Sequence, residues 1–476
     1  MKKYTFFLVC MLLCVFACKE DPVIELPTPE PVPTPTIDTI PPAGTSRIPA
    51  SPQRTGDANK GYEYLVTGDY VSSGPPLDIY IQLLGEDNSN LLNRTGNNAK
   101  VSHQLNAITA FNGVEVAGAN CLTCHSEFLN GELLIGLGNT TFDYTQNRGA
   151  FNTLLANGLE ATYGPTSPER LAYEPFRRGT AVLADQLITE VIGVNPAGKL
   201  AVVLGAYRDV ETLTWRDEPL YEIPEAVIPS DVPAWWHTKK KNALYYAGIG
   251  RGDHSRTIMA ASILTLQNTA EAEEIDTHFP DVLAYLKSIE PPSYPQSIDV
   301  AKSERGESIF NLQCAKCHGT YGDVETYPNL LVDLEVIKTD PLLASTNYGY
   351  DIFTSTYNNS WFGLDPNGAK LVATNGYVAP PLDGIWATAP YFHNGSVPTL
   401  EDLLDSNQRP AYWERTFDNS DIDYEKVGWN YTRPAQGGVN TIYDTNLLGY
   451  SNSGHLYGDR LSAAERSDLI EYLKTL

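Results

Sequence analysis

Methionine is scarce in this chain: there are 3 in 476 residues, and none follows Met259. A thioether side chain is therefore excluded from any chemistry in the C-terminal part. Basic residues are also short, 33 Lys and Arg against 58 Asp and Glu, for a formal charge of −25. Such a surface repels phosphate backbones and anionic headgroups, which argues against nucleic acid as a partner. The N-terminal apolar run, "YTFFLVCMLLCVFA" over residues 4–17, is 14 residues long, short of the ~20 that span a bilayer as a helix. Cysteine is limited to 7, three of them within the first eighteen residues, so Cys121, Cys124, Cys314 and Cys317 are all that a folded body can use.

What is present starts with a targeting segment. Lys2 and Lys3 precede the apolar run, which ends at "VFAC". This resembles a lipobox, with residues 1–17 removed and Cys18 lipidated as the first mature residue; a plain signal peptide is the alternative. The acidic "KEDP" that follows resembles the export signal of surface lipoproteins. Together these features imply an outer-membrane lipoprotein facing the periplasm or the cell surface, anchored by lipid on Cys18. Ten prolines between residues 19 and 52 remove backbone donors and favour extended polyproline structure. Residues 18–55 therefore read as a disordered, Pro-rich tether, with folded sequence beginning near Gly56.

The four remaining cysteines form "CLTCH" (121–125) and "CAKCH" (314–318). C-x-x-C-H is the c-type haem attachment pattern: two thiols three positions apart reach the two vinyl groups of one haem, and the adjacent histidine lies under its iron. A disulfide, a redox dithiol and a zinc site are the competing readings. Zinc needs a second nearby pair, and these pairs are far apart. Cys121, Cys124 and His125 are thus expected to hold one haem c, and Cys314, Cys317 and His318 a second.

A faint repeat supports two halves. "DVLAYLKSI" (281–289) resembles "DLIEYLKTL" (468–476), both have helical apolar spacing, and each follows its haem motif at a similar distance. Ser462 and Glu465 form a capping box ahead of the second helix. The expected fold is mainly α: two cytochrome c-like haem domains, 56–296 and 297–476, with long loops and few short strands. The break falls in the proline-rich "IEPPSYPQS".

Haem iron with a proximal histidine commonly takes a distal His or Met. After His318 there is no Met, and two histidines remain, His393 and His455. His455 in "YSNSGHLYG" lies in the loop before the final helix, which favours it as the sixth ligand. His393 is expected to support the haem from further out. Transferring the helix register to the first half puts Asn268 where His455 stands. Other candidates there are His237, His254, Met259 and His278, none in the equivalent loop. The first haem is therefore expected to be open on its distal side to O2 or peroxide. Trp235, Trp236, Tyr245 and Tyr246 are candidates to line that pocket or to bridge the haems, and core packing explains them equally. Arg251 and His254 are polar candidates for catalysis, His254 as a proton donor or acceptor; Lys239, Lys240 and Lys241 are candidates to pair with haem propionates or to form a solvated basic turn.

"ATAPYFHNGSVPTLEDLL" (387–404) with "GHLYGDRLSAAERSDLIEYLKTL" (454–476) resembles the dihaem cytochrome c peroxidase superfamily. "VPAWWHTKKKNALYYAGIGRGD" and "NCLTCH" are similar to its rubber oxygenase branch. Standard peroxidases carry a His/Met haem in the C-terminal half and a displaceable histidine soon after the first motif. This chain has His455 in the one place and no histidine between His125 and His237 in the other. The resemblance implies a haem-dependent oxidoreductase with a catalytic N-terminal haem, a bis-His C-terminal relay haem, a redox partner protein, an organic substrate of unknown identity and, as in some relatives, a calcium ion between the halves; His254, Trp236 and Arg251 are the catalytic candidates that the residues themselves offer.

Overall fold

The computed structural model describes residues 41–147, 149–349, 351–364 and 368–476; the leader, Cys18 and most of the tether lie outside them. The framework is two crossed helix pairs. Helix Ala58–Thr67 packs on Thr269–Ser288, and helix Val300–Gln313 packs on Ala463–Leu473. Each pair closes over a glycine. A Cβ at Gly61 would lie 1.9 Å from the Asp281 carbonyl oxygen, and one at Gly306 would lie 2.0 Å from that of Asp468. Asp281 and Asp468 are the matching first residues of the internal repeat, so the repeat extends to how the helices cross.

Polar residues set the helix starts. Asp57, Asn268, Asp299 and Ser462 each accept a backbone N–H in the first turn. Ser462 and Glu465 complete the expected capping box. The apolar faces bury two large cores. One gathers Leu65, Tyr70, Leu122, Trp235, Met259, Phe279 and Val282 beside the first motif. The other gathers Phe310, Trp386, Leu400, Leu469 and Leu473 beside the second.

The fold is helix-rich, with strands in short antiparallel pairs and one three-stranded sheet. In that sheet Leu330–Asp333 is central between Thr45–Arg47 and Gly376–Val378. The folded body therefore starts earlier than Gly56, because the strand at Thr45 finds its partner at Val332. Ile48 is buried against Ala243, Leu331 and Val378. Arg54 pairs with Asp253 and Asp276 at 2.6 Å each.

The halves also share more than a boundary at 296/297 suggests. The described residues, 41 onward, form one compact unit, and Leu129, Leu137, Ala234 and Trp236 from the first half pack in the core of the second. The proline-rich connection is pinned, with Trp386 donating to the Pro292 carbonyl at 2.8 Å.

Candidate functional site

The second motif sits where a helix runs into it. Val300–Gln313 leads to Cys314, and a short turn Ala315–His318 follows at once. The His318 ring is aimed by the sheet: Ala379 donates to Leu330 at the end of strand Gly376–Val378, which sets the next carbonyl, that of Pro380, 2.8 Å from His318 Nδ1. A ring nitrogen that donates there carries its proton on Nδ1 and leaves Nε2 as a lone-pair donor.

His455 comes back over the same space. Its N–H donates to Ile337 at 2.8 Å. The Arg409 guanidinium donates to the carbonyls of Asn452 and Gly454 at 2.7 Å each. The backbone of His455 is left-handed, φ 49° and ψ 56°, a region costly for a residue with a Cβ. The ring centroids of His318 and His455 are 6.3 Å apart. Burial holds both imidazoles neutral, His455 down to about 3 with His318 adding to the effect; the neutral ring is the form that binds a metal.

Both histidines line one cavity of about 220 Å³, with Cys314 and Cys317 at one wall and Leu400, Leu469 and Leu473 at another. All four cysteines of the two motifs are free thiols. The donor set fits haem c here. A metal–imidazole bond of about 2 Å plus about 1 Å to the ring centre separates two axial rings by about 6 Å, which matches the observed spacing.

His393 lines the same cavity. It is stacked on Tyr377 at 4.0 Å, and its Nε2 is buried without a hydrogen-bond partner. It shares this lining with His318 and His455.

The first motif is reached differently. Cys121 ends a hairpin built from Leu105–Thr109 and Glu115–Ala119, and its N–H donates to the Tyr70 hydroxyl at 3.1 Å. Helix Leu122–His125 runs directly into strand Ser126–Leu129. His125 stacks on Trp235 at 4.6 Å, its Nδ1 is buried without a partner, and burial pushes its pKa down to about 3. Asn195 approaches Cys124 Sγ at 3.5 Å.

The aromatic pair divides between the centres. Trp236, expected beside the first haem, packs instead in the second core and donates to the Asp383 carbonyl at 2.8 Å. The residue against His125 is its neighbour Trp235. One turn of tight helix, Trp235–Lys239, turns consecutive side chains into different cores, which the sequence did not separate.

The remaining candidates are distributed unevenly. His237 Nε2 lies 2.9 Å from the Asp383 carbonyl, His278 stacks on Tyr64, and Met259 is fully buried in the first core. Arg251 sits in strand Gly250–Gly252 and donates to the Gly248 carbonyl at 2.6 Å. His254 opens helix His254–Met259. It is 2% exposed, and its ring is within reach of the Asn242 backbone without forming a well-aligned hydrogen bond to it. Burial first, then Lys287, pushes its pKa down to about 4.

Asn268 proves to be the N-cap of Thr269–Ser288. That helix starts further ahead of Asp281 than Ala463 does of Asp468. Helix therefore covers the positions that match 456–462, while those that match the 451–455 loop, Leu264 to Asn268, lie just before it and contain no histidine.

The family description "RoxA-like, cytochrome c-like" matches residues 376–414, the stretch that contains the Pro380 carbonyl and His393. That segment is similar to the RoxA-like cytochromes, which suggests a haem c oxidoreductase-type protein. The chain is 28% identical over 320 residues to the uncharacterized protein y4iM of Sinorhizobium fredii (strain NBRC 101917 / NGR234), covering 57% of this chain and 70% of that protein. It is 42% identical over 253 residues to the uncharacterized protein y4iJ of the same strain, covering 40% of this chain and 41% of that relative, less than half its length.

Proposed function

We propose that this chain is an exported dihaem c-type oxidoreductase with two unequal centres. In this reading Cys314, Cys317 and His318 hold the second haem, with His455 on its other side, for electron relay. Cys121, Cys124 and His125 hold the first, with no protein ligand opposite His125. When bound, such haems supply one-electron transfer at a saturated iron and O2 or peroxide binding at an open one. The chain's own residues do the rest. Pro380 and Arg409 fix the two imidazoles of the second centre. Trp235 and Trp236 connect the centres, one ring against His125 and the other in the second core. His254 is placed to hold or release a proton in a buried site, being kept neutral there.

The single observation that carries this reading is the His318–His455 spacing of 6.3 Å across a cavity that also holds both thiols. Spectra of the purified protein, with and without cyanide or CO, test it. One low-spin centre and one high-spin centre that converts on adding ligand are expected. His455→Ala should make the second centre high-spin. Two low-spin centres indifferent to cyanide and CO refute the open site, and a high-spin change in His393→Ala in place of His455→Ala refutes the ligand.

A second reading is favoured by His254 itself. A buried imidazole with no side-chain partner, met only by the Asn242 backbone, is also a candidate to close the first iron, which would make the protein an electron carrier. His254→Ala separates the two: a low-spin to high-spin change at the first centre supports the carrier, an unchanged spin state the oxidoreductase.

The wider context rests on residues outside those described. The Cys18 anchor, the outer-membrane location and the redox partner protein follow from the leader and the resemblance. Among the described residues no helix is long and apolar enough to cross a membrane. Nor is there among them a group of three or more His, Cys, Asp or Glu side chains that could hold a metal ion.

A further inference from the structure

Three consecutive lysines meet three different fates. Lys239 pairs with Glu290 at 2.6 Å. Lys240 pairs with Glu325 and Asp383 at 2.7 Å each, with its ammonium also over the Tyr321 ring at 4.8 Å. Lys241 has no carboxylate within ion-pair distance among the described residues. It nevertheless lines the cavity that holds His318 and His455.

Lys241 is half-buried, and an ammonium even partly withdrawn from water without a counter-charge is costly. Burial alone accordingly pushes the Lys241 pKa down to about 8. Its neighbours do not help: Lys241 lowers the pKa of both His237 and His254, so it stands among groups that are themselves neutral. The cavity lining is mixed: Lys241, His393, Tyr246 and Thr339 are polar, and Leu400, Leu404, Leu469 and Leu473 are apolar. A haem joined through Cys314 and Cys317 carries two carboxylates into that space.

We propose that Lys241 is the counter-ion of a carboxylate of the haem held at Cys314–His318. The inference rests on the haem reading above and deepens it. It makes a residue from the chain segment of the first half a part of the second centre. Lys241 is a positioning residue: it touches the haem periphery and sets how much uncompensated negative charge lies near the iron. Removing it favours the oxidised centre, which carries one more positive charge. Lys239 and Lys240, each committed to protein carboxylates, have no such role.

Redox titration of the holoprotein, followed in the visible bands of each haem, tests this. Haem content by pyridine haemochrome and the spin state of His455→Ala are measured alongside, so that failure of the haem reading is seen separately. In Lys241→Gln the equilibrium constant for reduction of the second haem should fall about tenfold, about 59 mV for a one-electron couple. The first haem should be unmoved. Lys241→Arg should restore the potential, and Lys239→Gln should match the wild type. An unchanged second potential in a Lys241→Gln protein with two haems overturns the proposal. So does a shift confined to the first haem. If Lys241→Gln folds poorly, Lys241→Arg against wild type remains decisive through the pH dependence of the second potential. A guanidinium that stays charged should abolish any change of potential on the alkaline side that lysine shows, and persistence of that change overturns the proposal.

Discussion

Replacing Gly306 by alanine puts a single carbon into the closest helix crossing of the second half. Its Cβ would stand 2.0 Å from the Asp468 carbonyl oxygen, 2.7 Å from the carbonyl carbon and 2.8 Å from Tyr472 Cβ. Two of these are backbone atoms of a helix and cannot rotate away, so the pair must part by about 1.4 Å to reach a 3.4 Å contact. A gap of ~0.5–1 Å already forfeits a quarter to a half of a dispersion contact. The contacts at risk are central, since Phe310 meets Tyr472 at 5.2 Å and Leu469 and Leu473 are buried beside them. Overpacking costs about 1–3 kcal/mol and sometimes more, while alanine returns about 1 kcal/mol of helix propensity. The rigid obstacle puts Gly306→Ala at the upper end, a net loss of about 2 kcal/mol. Gly61→Ala, with Asp281 in the place of Asp468, should behave alike. Gly198 supplies the opposite sign: it is exposed in helix Ala197–Ala206, with nothing within 4 Å of its Cβ position, so Gly198→Ala should gain about 0.5–1 kcal/mol. Urea unfolding of the holoprotein by far-UV circular dichroism orders the three. A Gly306→Ala midpoint equal to or above the wild type would refute the close crossing.

Arg54→Ala should cost about 3 kcal/mol, because it strips one partner from two buried carboxylates; Asp276 retains Arg256 at 2.8 Å. Limited proteolysis should then cut within residues 41–55, and unchanged protection there would count against the early start of the fold. Asp231 is raised to about 7 by burial, with the Tyr246 hydroxyl opposing. A carboxyl whose folded pKa lies above its unfolded value stabilises the fold below about pH 4, and that contribution is lost as pH rises to about 7. Asp231→Asn should therefore flatten a fall in the urea midpoint over that window, and a wild-type midpoint that does not fall there argues against it. Arg409→Leu removes donors to the carbonyls of Asn452, Gly454 and Leu403. It should cost about 2–4 kcal/mol and raise the high-spin fraction of the second haem in the visible spectrum; an unaltered spectrum would show that the turn holds His455 without it.

The two C-x-x-C-H motifs, the final helix and its capping box were legible because each is a local pattern with a fixed spacing. The repeat at Asp281 and Asp468 was legible too, but its glycine partners were not. Helix Val300–Gln313 abuts Cys314, whereas a hairpin and two further helical segments separate Thr67 from Cys121, so no common spacing marks Gly61. Lys239, Lys240 and Lys241 look alike as sequence; only the positions of Glu290, Glu325 and Asp383 in the fold tell the paired from the unpaired. The exchange of Trp235 for Trp236 turns on the direction of one side chain in a single helical turn. The early start of the fold escaped notice because strand Thr45–Arg47 gains its stability from Leu330–Asp333, far along the chain.

The two halves differ in what stands ahead of the final helix of each. In the second half the helix starts at Ala463, which leaves residues 451–455 free to turn back over the cavity. That turn is not a relaxed one: His455 is held left-handed, and an isolated residue with a Cβ loses about 1–2 kcal/mol there. Strain of this kind persists only where the surroundings over-determine it. Here they do, through Arg409 on the carbonyls before His455 and Ile337 on its N–H, and through Gly454, where a Cβ would lie 2.2 Å from Lys338. In the first half helix starts at Thr269 and Asn268 spends its side chain on capping it. The residues that match 451–455, Leu264 to Asn268, lie ahead of that helix too, yet none of them is a histidine, so this stretch offers no imidazole of the kind that His455 presents.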